Sequence, residues 1–162
     1  EQKIKLPYTL YVVNSVQEEI GLRGAEMISR RLQPNAAICV DVTHDTHAPM
    51  YNRKDQGDTT CGAGPVITTG PTIHKHLHKI LIDAAKKMDM KFQRSTANRW
   101  TGTDTDSFAY SSTGVASALL SIALRYMHTT VETVDKNDVE DTIQLYIEVL
   151  KSIKGTEDFR YV

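Results

Sequence analysis

The tightest constraint on the fold is a strand, helix, strand succession near the start of the chain. Leu10 to Val16, LYVVNSV, is mostly apolar and β-branched and too short for a typical helix, so it reads as a strand covered on both faces. After Gly21, the segment Arg23 to Leu32 places Ala25, Ile28 and Leu32 on one helical stripe, and Pro34 blocks its continuation. Ala36 to Val42, AAICVDV, is a second buried-strand candidate. This βαβ pattern commits the chain to an α/β architecture, a sheet with parallel pairing and helices packed against it.

Downstream, Thr43 to Pro65 is rich in Thr, Asp, Gly and Pro without an apolar period, which predicts a long surface loop of the kind that often carries function. Val66 to Thr69 predicts a short strand. From Thr72, the apolar residues Ile73, Leu77, Ile80, Ala84 and Met88 predict an amphipathic helix ending near Met90. Ala116 to Leu124, ASALLSIAL, mixes small and large apolar residues as a central strand does, although periodicity alone leaves a helix open. In the last helix Val139, Ile143, Ile147, Leu150 and Ile153 form the stripe, with Asp138, Glu140 and Asp141 at the start and Lys151 and Lys154 at the end to complement the dipole.

At 162 residues the chain has room for one compact core or a piece of one. Nineteen Lys and Arg against twenty Asp and Glu give a net charge of -1, which offers no broad attraction for nucleic acid or anionic lipid. There is no apolar run long enough to span a bilayer, and Glu1 to Lys5 lack the apolar core of a signal peptide, so the expectation is a soluble, cytoplasmic protein. Two cysteines, Cys39 and Cys61, make no disulfide framework and read as free thiols.

The candidate chemistry starts with the adjacent pair Glu18 and Glu19. On extended backbone, neighbouring side chains diverge, so one carboxylate can hold a metal while the other faces water. Alone, such a pair usually forms a solvated strand end. Its company matters: Asp41 closes the next strand candidate and His128 follows the later one, in RYMHTTVE from Arg125 to Glu132. Strand ends are where open α/β sheets keep their sites.

The segment Gln17 to Ala25, QEEIGLRGA, resembles the signature of the dinuclear-metal aminopeptidases of the deblocking, tetrahedral and glutamyl aminopeptidase family, some of which are described as endoglucanases. Val40 to Thr43, Gly62 to Ile67, Gly102 to Asp104 and Arg125 to Thr129 match later motifs of that family in the same order. The resemblance implies a three-layer α/β/α sandwich with a largely parallel mixed sheet, of which residues 1–162 form the carboxyl-terminal part. It implies a metal-dependent aminopeptidase acting on peptides with two divalent ions, zinc or cobalt, and assembling as a homo-oligomer. Carried over by position, Glu18 is the general base, Glu19 and His128 ligate one metal and Asp41 ligates the other. Asp104 and Arg125 fall on the substrate side.

The family site also uses a histidine and a bridging carboxylate upstream of the double glutamate. Only seventeen residues precede Glu18, with Glu1 as their sole acid, so the expectation is that these two ligands and the family's small inserted domain are absent and that the chain alone is inactive. Two readings compete: a non-catalytic structural or oligomerisation remnant of the same fold, and a glycoside hydrolase acting through Glu18 and Glu19. The second is disfavoured because glycosidase carboxyls face each other across a sugar.

Other polar clusters have plainer readings. His74, His76 and His78 are expected to be an exposed polar helix face rather than a zinc site, and His44, Asp45 and His47 a solvated loop. Asp104 and Asp106 can cap their own turn, Arg125 can form a structural ion pair, and Trp100 is expected at the loop edge.

Overall fold

Helices and strands alternate through most of the computed structural model, which describes residues 4–49, 51–112 and 114–161; Glu1 lies outside them. The order is α1 (Arg23–Leu32), β1 (Ala36–His44), a one-turn α2 (Arg53–Gln56), β2 (Val66–Thr69), α3 (Lys75–Lys87), β3 (Gln93–Thr96), α4 (Asp104–Ala109), β4 (Ala116–Arg125), β5 (Thr133–Val134) and α5 (Lys136–Ser152). The strands form one sheet in the order β1-β4-β2-β3, with β5 paired to the end of β4. The β1–β4 ladder is parallel along its whole length, from Ala36 opposite Ala116 to His44 opposite Leu124. β2 and β3 are also parallel, whereas β2 and β5 run antiparallel to β4.

Side-chain alternation along β1 and β4 divides the core into two faces. Ile38, Ala118 and Leu120 join Leu77, Leu81, Leu145 and Val149, so α3 and α5 cover one side. Ala37 and Cys39 point the other way, toward Ala25 and Phe108 of α1 and α4. The result is the expected three layers. The parity also fixes where the chemistry goes: Asp41 shares the face of Ala37 and Cys39, and lies toward the carboxyl end of its strand. β4 is buried over nearly its full length, as its composition predicts.

Leu10 to Val16 is not a strand. It is irregular and largely open to solvent, with Val12 91% exposed, because strand propensity requires a partner ladder and this segment has none among the described residues. β1 in turn is a half-buried edge strand rather than a fully buried one, and Val40 and Val42 are exposed. The last helix is rotated from its expected stripe. Leu145 and Val149 are buried together with Asp138 and Thr142, while Ile143 and Ile147 are exposed. Asp138 sets that rotation: its Oδ2 accepts from the Gly62 amide at 2.6 Å and its Oδ1 from Gly64 at 2.8 Å, which draws the polar edge of the helix inward.

His74 ends the loop before α3 as its N-cap, so the helix starts later than its first apolar residue, Ile73. β3, α4 and β5 carry no apolar period that could announce them. Within the predicted loop, Asp45, Thr46 and Thr59 are buried, so it is anchored rather than solvated throughout. No helix among the described residues is long and apolar enough to cross a membrane.

Candidate metal and catalytic site

The double glutamate sits on a tight turn leading into α1. Glu18 C=O accepts from the Gly21 and Leu22 amides at 3.1 and 3.0 Å, and Val16 C=O accepts from the Gly24 amide at 2.9 Å. Gln17 and Leu22 both take positive φ, 62° and 57°. Gly24 makes the closure possible: a Cβ there would stand 2.4 Å from the Val16 carbonyl oxygen and 2.5 Å from its nitrogen. The signature QEEIGLRGA therefore encodes a turn whose glycine lets the helix press against the incoming backbone, leaving both glutamates at its outer end.

His128 reaches this turn from the far part of the sequence. Its Nε2 lies 3.2 Å from the Glu19 carboxylate, a contact spanning 109 residues. The loop that carries it leaves β4 at Arg125 and returns at β5, where Arg125 lies opposite Thr133. Tyr126 and His128 both have φ of 61°, the left-handed region that non-glycine residues seldom adopt. The Thr129 hydroxyl donates to the Tyr126 carbonyl at 2.6 Å, and the His128 amide donates to a Glu132 carboxylate oxygen.

Glu18 and Asp41 lie in the same electrostatic neighbourhood. Burial raises the Glu18 carboxyl above its ordinary range, and the charges of Asp41, Glu19 and Asp104 raise it further, against a smaller opposing effect of His128. Burial likewise raises Asp41; the Val42 amide, donating to its Oδ1 at 2.7 Å, works against this, while Asp104 and Glu19 add to it. Asp104 heads α4, where the Ser15 hydroxyl donates to its Oδ2 and its buried Oδ1 has no partner among the described residues. The predicted residues Glu18, Glu19, Asp41, Asp104 and His128 are thus assembled on one side of the sheet. Their carboxylate oxygens and imidazole nitrogen are donors of the kind that hold zinc or cobalt. Among the described residues, no group of three or more His, Cys, Asp or Glu side chains is placed to hold a metal ion. The donor chemistry therefore fits a divalent ion, and the number of converging donors falls short of a closed site.

Arg125 stands slightly apart. Its Nε lies 4.0 Å from the buried Asp45 carboxylate, and its guanidinium covers the Tyr126 ring at 5.2 Å, with one nitrogen donating to the Tyr126 hydroxyl at 3.3 Å. Asp106 caps its own turn, accepting from the Thr101 and Gly102 amides at 3.0 and 2.9 Å. Trp100 is exposed at the loop edge, with its ring edge-on to Tyr110. Of the three helix histidines only His76 is exposed: His78 is half-buried, and His74 is buried, capping α3 by accepting from the Leu77 amide and packing edge-on against Phe159 and Tyr161. Cys39 and Cys61 are free, and burial pushes the Cys39 thiol up to about 12.

Sequence reasoning missed Ser15, Glu132 and Asp138 as partners. Glu132 had a signal in the four-residue spacing from His128; Ser15 and Asp138 had none, because their acceptors and donors come from distant segments.

The family model for M42 glutamyl aminopeptidase matches residues 1–145. The chain belongs to the M42 glutamyl aminopeptidase family. It is 41% identical over 145 residues to the lysyl aminopeptidase of Pyrococcus furiosus, covering 90% of this chain and 41% of that protein. Among solved structures it resembles the TET aminopeptidase of the marine-sediment archaeon Thaumarchaeota archaeon SCGC AB-539-E09, with a TM-score of 0.77, 28% identity, and 85% and 38% of the two chains covered. It also resembles the TET1 peptidase of Pyrococcus horikoshii, which assembles into a tetrahedron or a large octahedral shell, with a TM-score of 0.65, 29% identity, and 84% and 38% covered. This M42 chain spans about two-fifths of the length of the relatives it matches.

Proposed function

We propose that the chain carries part of the catalytic site of a metal-dependent aminopeptidase that releases amino-terminal residues from peptides. The observation that carries this reading is the Glu19–His128 approach at 3.2 Å, with Glu18 and Asp41 beside it. In this reading Glu19 and His128 hold one divalent ion, zinc or cobalt, and Asp41 is the first ligand of a second. Ions there would supply Lewis-acid polarisation of the scissile carbonyl. Glu18 is the general base: it takes a proton from the attacking water and returns it to the leaving amine. Asp104 and Arg125 are assigned to the substrate side. With two ligands for one ion and one for the other, the chain by itself binds metal weakly and turns over no peptide. Residues 1–162 are the carboxyl-terminal part of the catalytic domain, in a cytoplasmic homo-oligomer; assembly of the TET1 peptidase and the exposed Ile143 and Ile147 support the latter.

The test is zinc binding by the chain, measured by equilibrium dialysis and elemental analysis, on Glu18→Gln and Glu19→Gln in parallel. Removal of a ligand lowers zinc uptake, so the Glu19 variant loses it and the Glu18 variant keeps it near the parent level. The reverse result exchanges the two roles. With zinc raised until the parent takes it up, equal uptake by the parent and both variants removes Glu19 from the metal site.

A further inference from the structure

We propose that Glu132 is a positioning residue for His128, holding its backbone in the one conformation that presents the imidazole to Glu19. This rests on the reading of His128 as a ligand only for its consequence in metal binding; the geometric part stands on the loop itself.

Residues 126–132 form a closed loop between two strands that are paired with each other, so the ends are fixed and the interior must turn within a short length. It turns by placing two non-glycine residues, Tyr126 and His128, at φ 61°. A left-handed residue is disfavoured over its right-handed alternative, and persists only where its surroundings enforce it. At Tyr126 the enforcing contacts are visible: the Thr129 hydroxyl and amide both bind the Tyr126 carbonyl, at 2.6 and 3.2 Å. At His128 the backbone N–H donates, among the described residues, to the Glu132 carboxylate alone. Glu132 is itself set by its neighbours. Val131 N–H donates to the Thr129 hydroxyl at 3.3 Å, Thr133 Oγ1 donates to the Val131 carbonyl at 3.1 Å, and Thr133 enters β5.

The bond joins an anionic acceptor to a backbone donor, and charge-assisted bonds of this kind are roughly twice as strong as neutral ones. Without it, His128 is free to relax to negative φ, which swings the side chain away from the turn at Glu18–Glu19. No other described contact orients the ring: Nε2 meets Glu19 at 3.2 Å, and Glu19 is an exposed acceptor. Glu132 therefore acts on the site through His128 and touches neither substrate nor the reacting atoms.

The experiment uses the full chain and two variants, Glu132→Ala and Glu132→Gln, with His128→Ala as reference. The first readout needs no metal: nuclear Overhauser contacts between the His128 ring and the Glu19 side chain, together with the φ-dependent amide coupling of His128. Both should be present in the parent, lost in Glu132→Ala and restored in Glu132→Gln, whose amide oxygen is still an acceptor. The second readout is zinc titration followed on the His128 ring nitrogens, where Glu132→Ala should need about tenfold more zinc, the low end of what loss of an orienting partner costs. If the ring contacts and coupling of Glu132→Ala equal those of the parent, the inference is wrong. If those contacts are lost as expected but the His128 ring nitrogens of the parent show no zinc-dependent change, Glu132 positions His128 and the metal reading fails instead.

Discussion

Replacing Gly24 by alanine tests whether the turn that carries Glu18 and Glu19 depends on backbone contact. In a solvated helix interior the change gains about 1 kcal/mol from helix propensity. Here the new Cβ falls 2.4 and 2.5 Å from the Val16 oxygen and nitrogen, and both are backbone atoms that cannot rotate out of the way. Helix and incoming chain must part by at least ~0.6 Å to reach the 3.0 Å that real contacts respect. That movement also strains the Gly24 N–H to Val16 C=O hydrogen bond of 2.9 Å. Overpacking of this kind costs about 1–3 kcal/mol and the strained hydrogen bond about 1 kcal/mol more, the latter offsetting the propensity gain. The net expectation is a loss of about 1–3 kcal/mol, read as a lowered urea midpoint at unchanged slope. Met27→Ala, on an exposed position of the same helix, should stay within about 0.5 kcal/mol of the parent. The displaced turn should also weaken the Glu19–His128 contact seen by nuclear magnetic resonance. A Gly24→Ala chain as stable as the parent, or more so, refutes the close-approach argument.

Further expectations follow from buried polar groups. Asp138→Asn leaves one glycine amide facing an NH2 group and should cost about 1.5–3 kcal/mol in urea unfolding; stability equal to the parent would remove Asp138 as the anchor of the Gly62–Gly64 loop. Burial, and then the charge of His76, lowers the His74 pKa. Its stabilising effect is complete above the unfolded value of about 6.5 and is lost as pH falls through that value toward the folded one. His74→Asn keeps a capping oxygen without titrating, so the urea midpoint of that variant should fall less than the parent's between about pH 7 and pH 5; identical pH slopes would contradict this. Iodoacetamide should label Cys61 in the native chain before Cys39, whose buried thiol stays protonated until the chain unfolds, and peptide mass mapping shows the order. Light scattering should report a species larger than the 18.1 kDa monomer, reduced by Ile143→Lys with Ile147→Lys if that exposed stripe forms the contact.

The parts of this fold that were legible in the sequence are those whose signal is local. α1 was bounded by Gly21 and Pro34, β4 by its unbroken small and large apolar residues, and the two other longer elements by their spacing. The residues of the candidate site were legible as motifs, and QEEIGLRGA and RYMHT both turn out to form tight turns. Failures came where tertiary context decides. Leu10 to Val16 has strand composition and no ladder to join. The rotation of α5 is set by Asp138 reaching Gly62 and Gly64, more than seventy residues away, which no helical wheel contains. β3 and α4, with QRST and DTDSFA, are defined by neighbours rather than by apolar period.

One of these errors, at Leu10 to Val16, falls next to the site, and for a physical reason. The segment that failed to become a strand is the one that delivers Glu18 and Glu19, and the strand it would lie beside by composition, β1, delivers Asp41 from an edge whose Val40 and Val42 are exposed. Edge strands with exposed apolar residues invite pairing, and surfaces of this type are where further protein packs. A carboxylate on a covered strand is held to a fraction of an ångström, whereas one on an uncovered turn is held only by its local hydrogen bonds. Covering this edge, by a second copy or by protein corresponding to what the longer relatives contain, would therefore act on chemistry as well as stability. It would fix the two glutamates relative to Asp41 and raise the desolvation that already lifts the Glu18 and Asp41 carboxyls. Donor convergence and edge burial are thus one requirement, met on the His128 side by a closed loop within this chain and left open on the Glu18 side.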